Sequence, residues 1–364
     1  MLSHHFNSKS EIASSSDGVD LYKSSLADVG DVTYVWRDQP KSLSEILQEE
    51  TLPIIVKLCS ENVIKEKEIP VDLNQPLILY KDTKGKKLHA RNIRARTATR
   101  DTTRFIYDLI GPHVTFSETF PGFFKELDSK DHYLVAVTDL SNVMPKSFVS
   151  VVECQGYLCI SQLADNLYQK TVLSPGLYRP IEILQSNITY TNKRKSEKKK
   201  HVHCLSCHDE RGKVVLFPIT NKGVFYLGEL NPNKPLGALN PACRVYKWTG
   251  FDPQRLKGLR VKMMHGKPPV QECQFTGLLE FCSVVEEHTV IGSTISSTPR
   301  LFELAVTSEP FFIVAANTKE LQMGSVQQKC LKFARNECDT YMETVKVKKD
   351  YGIDQAEDPP LNTD

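Results

Sequence analysis

Apolar residues in this chain arrive mostly in short runs rich in β-branched and aromatic side chains, each closed by Gly, Pro, Asn or Asp. "HYLVAVTDL", "SFVSVVEC", "YLCI", "KVVLFPI", "GVFYLGEL" and "FTGLLEFCSVVEEHTVIG" all have this form. Runs of this kind fit strands, and the breakers between them fit turns. Gln155-Gly156, between two such runs, reads as a hairpin turn. The expected class is therefore mainly β. One good helix signature stands near the start, in "SLSEILQEETLP". Ser42 and Glu45 have capping-box spacing, Leu43, Ile46 and Leu47 share a face, and Pro53 closes the helix before the extended run "IIVKL". "SVQQKCLKFARNECDTY" (325–341) fits helix and strand equally, through Val326, Cys330, Phe333 and Glu337. The expectation is one or two short helices in a β protein.

The 364 residues give room for one large domain or two ordinary ones. Residues 1–40 are rich in Ser and Asp and poor in large apolar groups, so a disordered tail is expected there. The acidic segment 349–364, "KDYGIDQAEDPPLNTD", reads the same way. Between them lies one expected module, 42–348. Within it Phe116, Gly122 and Phe124 repeat the spacing of Phe217, Gly223 and Phe225. Gly at that place permits a tight turn or a close backbone approach, and the two Phe side chains would anchor one core. This suggests two related β halves, about 42–145 and 146–348. The first thirty residues hold no continuous apolar segment, so no signal peptide is expected. No run approaches the roughly 18 apolar residues of a membrane-spanning helix. A net charge of +2 demands neither nucleic acid nor an anionic membrane as partner. The expected setting is cytoplasmic, with nuclear entry as a second location.

Ten cysteines are read in that light. A reducing compartment disfavours structural disulfides, and cysteine often serves as a small buried hydrophobe. Cys59, Cys159 and Cys282 sit inside apolar runs and are expected to be buried. Only Cys204 and Cys207, in "HCLSCHDERG", form a spaced pair flanked by polar residues. The pair has zinc-knuckle spacing, but a structural site wants four ligands and the chain offers no second pair. A thioredoxin-type couple needs its first cysteine at a helix N-terminus, whereas this pair runs through a turn sequence into the strand "KVVLFPI". The remaining reading is a thiol at the mouth of a β-hairpin, with Leu205 pointing inward and Cys207 on the same face. Lys198, Lys199, Lys200 and Arg211 would make the local field positive and favour thiolate if Cys207 is accessible. Alternatively, Cys207 packs into the base of the hairpin. No paired carboxylates, Gly-rich phosphate loop or triad can be assembled, so no enzyme and no cofactor are expected.

The stretch "LSCHDERGKVVLFPITNKGVF" resembles the core motif of the CABIT module, found in the Themis and GAREM signalling adaptors. That motif runs apolar-any-Cys, usually then Pro, a variable spacer, apolar-any-Leu-Pro-apolar, three residues, and Gly-any-Phe. Leu205 and Cys207 fill the first part, and Val215, Pro218, Ile219, Gly223 and Phe225 fill the second. Phe217 stands where Leu is usual, and His208 where Pro is usual. The likeness extends outward through "SLSEILQEETLPIIVKL", "FPGFFKELD", "PRLFELAV" and "EPFFIVA", covering about residues 42–348. It implies a non-enzymatic, mostly β module. In the Themis branch such modules engage tandem-Src-homology tyrosine phosphatases and affect the oxidation or activity of their catalytic cysteine. Related adaptors recruit a growth-factor-receptor-bound adaptor through Pro-rich motifs. Here "GKPPVQE" and "EDPPLNTD" lack the basic anchor of such motifs. By the resemblance, Cys207 matches the family cysteine, and Leu205, Val215, Phe217, Pro218, Ile219, Gly223 and Phe225 are scaffold.

Three further features bear on partners. "KRKSEKKK" (193–200) reads as a solvated inter-strand loop or a nuclear-import signal. Nucleic-acid binding would want aromatics interleaved with the charge, and none occurs there. The arginines of "ARNIRARTATRDTTR" read as a polar sheet edge, or as a face for phosphate. Tyr190, with Asn192 two residues on, is a candidate phosphosite of the type that a Grb-like Src-homology domain prefers. The expected function is a signalling adaptor or regulator acting by protein–protein binding, with Cys207, Lys198, Lys199, Lys200 and Arg211 at the working surface. The alternative is a zinc-stabilised nucleic-acid or chromatin-associated module, with Cys204 and Cys207 as ligands and the basic run 193–200 as its binding surface.

Overall fold

The computed structural model describes residues 33–59, 71–97, 105–127, 131–161, 167–191, 196–232, 241–270, 273–309 and 311–348. The chain is mainly β, and no described helix is long and apolar enough to cross a membrane. It divides into two compact units, Met1–Thr83 with Thr289–Cys338, and Lys84–His288 with Asp339–Asp364. The boundary expected near residue 145 falls inside the second of these units.

In the first unit the helix Leu43–Glu49 opens with the capping box read from the sequence. The Glu45 N–H donates to the Ser42 hydroxyl at 3.3 Å, and the Ser42 N–H donates to the Glu45 carboxylate at 2.8 Å. The helix buries Leu43 and Ile46 against Ile54, Val56, Leu77, Phe302 and Phe312. The strand Ile54–Leu58 lies between Phe311–Val314 and the first residues of Leu77–Thr97. The ambiguous segment is a helix, Ser325–Met342, of 18 residues. Gln327, Cys330, Ala334 and Cys338 recur every three or four positions and are its buried stripe. This is more helix than the one or two short elements expected, because apolar strands bury that stripe: Cys330 packs with Ile55, Ile78 and Ile295.

In the second unit five strands close on themselves. Cys154–Ser161, Leu167–Leu173, Gly176–Thr191, Glu197–His208 and Val214–Pro218 each pair with the next, and the last returns to the first at Val215↔Leu158. Closure removes unpaired edges and creates an inside. Every one of the five strands contributes to that inside, through Tyr157, Tyr168, Ile188, Val202, Cys204 and Leu216. Outside the barrel a second cluster holds Phe148, Tyr178, Leu205, Cys207, Phe217 and Phe225. A third centres on Phe116, Phe120, Phe124, Trp248 and Phe281.

The repeated Phe-Gly-Phe spacing serves one local purpose twice. Phe116 and Phe124 meet edge to face at 5.4 Å, and Phe217 and Phe225 each meet Phe148 at 5.7 and 5.8 Å. A Cβ on Gly122 would lie 2.0 Å from the Phe120 ring, and one on Gly223 would lie 2.6 Å from the Phe225 ring. Glycine at both places is what lets an aromatic ring pack directly against the backbone.

Candidate functional site

The CLSC strand, Glu197–His208, pairs with Gly176–Thr191 from Thr191↔Glu197 to Arg179↔His208. Successive side chains on a strand point to opposite faces. Val202 and Cys204 therefore enter the barrel, while Leu205 and Cys207 enter the outer cluster. A zinc knuckle needs both sulfurs to converge on one ion at about 2.3 Å. A three-residue step along a strand sends them apart instead. The alternative in which Cys204 and Cys207 are zinc ligands is corrected by this geometry.

Cys207 is also corrected as a thiol at the working surface, since it is 0% exposed. Burial holds it well above the ordinary thiol range, and its Sγ lies 3.9 Å from the Leu205 carbonyl oxygen, a weak contact at most. Cys204 is 1% exposed, and burial pushes it up to about 11 against a smaller opposing pull from Lys200. Both thiols are small apolar fillers that resist ionisation. Cys59 is buried like them, whereas Cys159 and Cys282 are only partly so, which corrects the expectation that all three are buried.

The packing around Cys207 explains the motif. Val215 lies directly across the ladder from it, and Leu205, Phe217 and Phe225 complete its cluster. Pro218 lies across from Cys204, and Ile219 packs against the cluster edge. Phe148, Tyr178 and Cys154 close the same space from strands outside the motif. Their only sequence signal is period-2 alternation, which does not say which strands meet.

The basic residues are placed differently. Lys198, Lys199 and Lys200 are exposed strand residues, so the reading of 193–200 as a loop is corrected for Glu197–Lys200; residues 192–195 lie outside the described residues. Twelve strand residues hold the three lysines on a fixed backbone. Arg211 is exposed in the following turn, where the Asp209 carboxylate accepts from the N–H groups of Arg211 and Lys213 at 2.9 and 2.8 Å. Tyr190, across from Lys198, is partly buried, and its ring meets Tyr157 edge to face at 5.4 Å. A phosphosite on a freely docking segment is corrected by that strand position, and Asn192 lies outside the described residues. Among the arginines, Arg96 pairs with Asp108 at 2.7 Å and Arg91 donates to His113 at 3.0 Å; Arg100 and Arg104 lie outside the described residues.

Two polar clusters carry no sequence signal, because each joins segments that are far apart along the chain. Lys125 is 7% exposed, and its ammonium donates to Asp131 at 2.6 Å. The Tyr226 hydroxyl donates to the same carboxylate at 2.7 Å. Elsewhere, the Glu210 carboxylate accepts from the Leu177 N–H at 3.0 Å and lies 3.6 Å from His265 Nε2. Burial lowers His265 from its ordinary value, partly offset by Glu210. Both clusters tie loops to strands, and neither brings a nucleophile and a base together.

No curated protein and no solved structure matches this chain. The family described as "CABIT: Cell-cycle sustaining, positive selection" matches residues 52–327, which include both the Cys207 strand and the Gly223–Phe225 segment. With the match spanning well over half of its length, the chain belongs to the CABIT family.

Proposed function

We propose that this protein is a signalling adaptor or regulator that works by binding other proteins, and that the exposed lysines Lys198–Lys200 receive an acidic or phosphorylated segment of the partner, with Arg211, in the turn past the far end of the same strand, as a separate positive point. CABIT domains are in general non-catalytic and occur in adaptor-type signalling proteins. The observation that carries the reading is three consecutive exposed lysines on a strand that pairs along its whole length with Gly176–Thr191, Lys198 and Lys200 on one face and Lys199 on the other. Long cationic side chains on a fixed backbone give up less freedom on binding than the same charges on a loop. They also steer an oppositely charged surface toward the site. Cys207 takes part only by filling the core cluster near the other end of that strand.

The partner we favour is a tandem-Src-homology tyrosine phosphatase, and the setting cytoplasmic, with the nucleus as a second location on account of the basic run. The test titrates the purified phosphatase against wild-type protein and a Lys198→Glu/Lys199→Glu/Lys200→Glu variant. Reversal of three charges is expected to weaken binding at least about tenfold, and added salt to weaken the wild type in the same sense. Binding unchanged by reversal removes the strip from the account. No binding by either form removes the phosphatase.

A further inference from the structure

The strand Phe105–Ser117 pairs along one side with Leu77–Thr97. Along its other side, among the described residues, it pairs only with Lys346–Lys348, at His113, Val114 and Thr115. The ladder with Leu77–Thr97 jumps from Arg91↔His113 to Ile93↔Leu109, so residues 110–112 bulge out. Pro112 has no N–H to offer, and Gly111 takes a φ of 64°. Before the bulge, residues 105–109 form a strand whose outer edge has no described partner.

This edge has two distinct faces. On one, Phe105 and Leu109 are 56% and 53% exposed, and Tyr107 between them lies under the Arg260 guanidinium at 5.0 Å. On the other, Arg94 stands across from Asp108 and Arg96 across from Ile106. Asp108 already binds Arg96 at 2.7 Å, so one carboxylate faces two exposed guanidinium groups. An exposed edge of unpaired N–H and C=O groups is a template for another strand, and natural edges that are not used are blunted by charge, Pro or cover. Here the bulge blunts only residues 110–112.

We propose that residues 105–109 are a strand-addition site for an extended acidic segment of a partner protein. Backbone hydrogen bonds hold the segment in line. Alternate apolar side chains rest on Phe105 and Leu109, and the intervening carboxylates meet Arg94 and Arg96, for which a guanidinium fork is well suited. The site is separate from the Lys198–Lys200 strip and does not depend on that reading.

The probe is a fluorescein-labelled peptide of alternating Glu and Val, titrated by anisotropy into the full chain at low salt. A Glu-Pro peptide of equal charge, which cannot form a ladder, is the control and is expected not to bind. Arg94→Glu is expected to weaken binding about tenfold or more. The double variant Phe105→Ser/Leu109→Ser should do the same while leaving the fold intact, since both side chains are more than half exposed. Lys198→Glu/Lys199→Glu/Lys200→Glu should bind as wild type. Hydrogen exchange should slow at residues 105–109 on adding peptide. Equal binding by Arg94→Glu overturns the proposal, as does binding of the Glu-Pro control. So does an edge already protected in the free chain, whether removal of residues 349–364 exposes it or protection grows with protein concentration. The first of those results would make the chain's own acidic segment the occupant, and the second a copy of this chain.

Discussion

Replacing Cys207 separates a core sulfur from a working thiol. Among the described residues its Sγ has no neighbour at the distance a hydroxyl needs, the Leu205 carbonyl being 3.9 Å away. Cys207→Ser therefore buries a polar group without a partner, a cost of about 1–3 kcal/mol. Cys207→Ala removes one heavy atom from a cluster lined by Leu205, Val215 and Phe217 and should cost about 1 kcal/mol. Serine should thus be the worse substitution, although it is the closer in shape. The assay is urea unfolding of the three proteins, with thiol labelling by a disulfide reagent in the native state. If labelling needs a local opening of about 4 kcal/mol, it slows about a thousandfold relative to an exposed thiol. The raised thiol pKa slows it further. Native labelling of Cys207 at the rate of an unfolded chain, or a serine variant as stable as wild type, refutes the reasoning.

Other consequences follow from the same packing. Phe217→Ala empties a fully buried ring site beside Phe148 and Tyr178 and should cost about 3–5 kcal/mol, read from the urea midpoint. Gly223→Ala places a Cβ 2.6 Å from the Phe225 ring and 3.2 Å from Cys154 Sγ, so thermal melting should fall. Gly212→Ala, with open space but a φ of 75°, should lose only the smaller cost of backbone strain. At Asp131, burial raises the carboxyl, but hydrogen bonds from Lys125 and Tyr226 outweigh it and leave the group below its ordinary value. A depressed folded pKa stabilises above the unfolded value, near about 3.9, and that stability is lost as pH falls through the folded value. Asp131→Asn should accordingly flatten the loss of stability below about pH 4, measured by melting across that range.

Much of the β character was legible because turn residues punctuate runs that are too short for helices. The opening helix was legible from Ser42 and Glu45, whose mutual hydrogen bonds depend on three-residue spacing alone. The helix Ser325–Met342 was not, because its stripe is Gln327, Cys330, Ala334 and Cys338, small or polar residues that periodicity of large apolar groups overlooks. At the site, strand alternation alone places Leu205 and Cys207 on one face and Cys204 on the other. Treating the CLSC pair as a spacing rather than as part of a strand hid that consequence. Which face lies under Phe148 and Tyr178 depends on pairings between strands far apart in sequence, and local pattern carries no information about those. The same holds for Lys125, Asp131 and Tyr226, and for Glu210 with His265. Burial of Cys207 is likewise a tertiary property: the basic neighbours that argued for a thiolate point into solvent.

The central claim is that partners engage the exposed basic strip and not the buried thiol near the other end of the same strand. Its most direct test is hydrogen exchange on the full chain with and without a bound tandem-Src-homology phosphatase, comparing wild type with Cys207→Ala. Slower exchange at Glu197–His201, the same in both proteins, is the predicted result. Protection that spares those residues, or that vanishes in a folded Cys207→Ala variant, would contradict it.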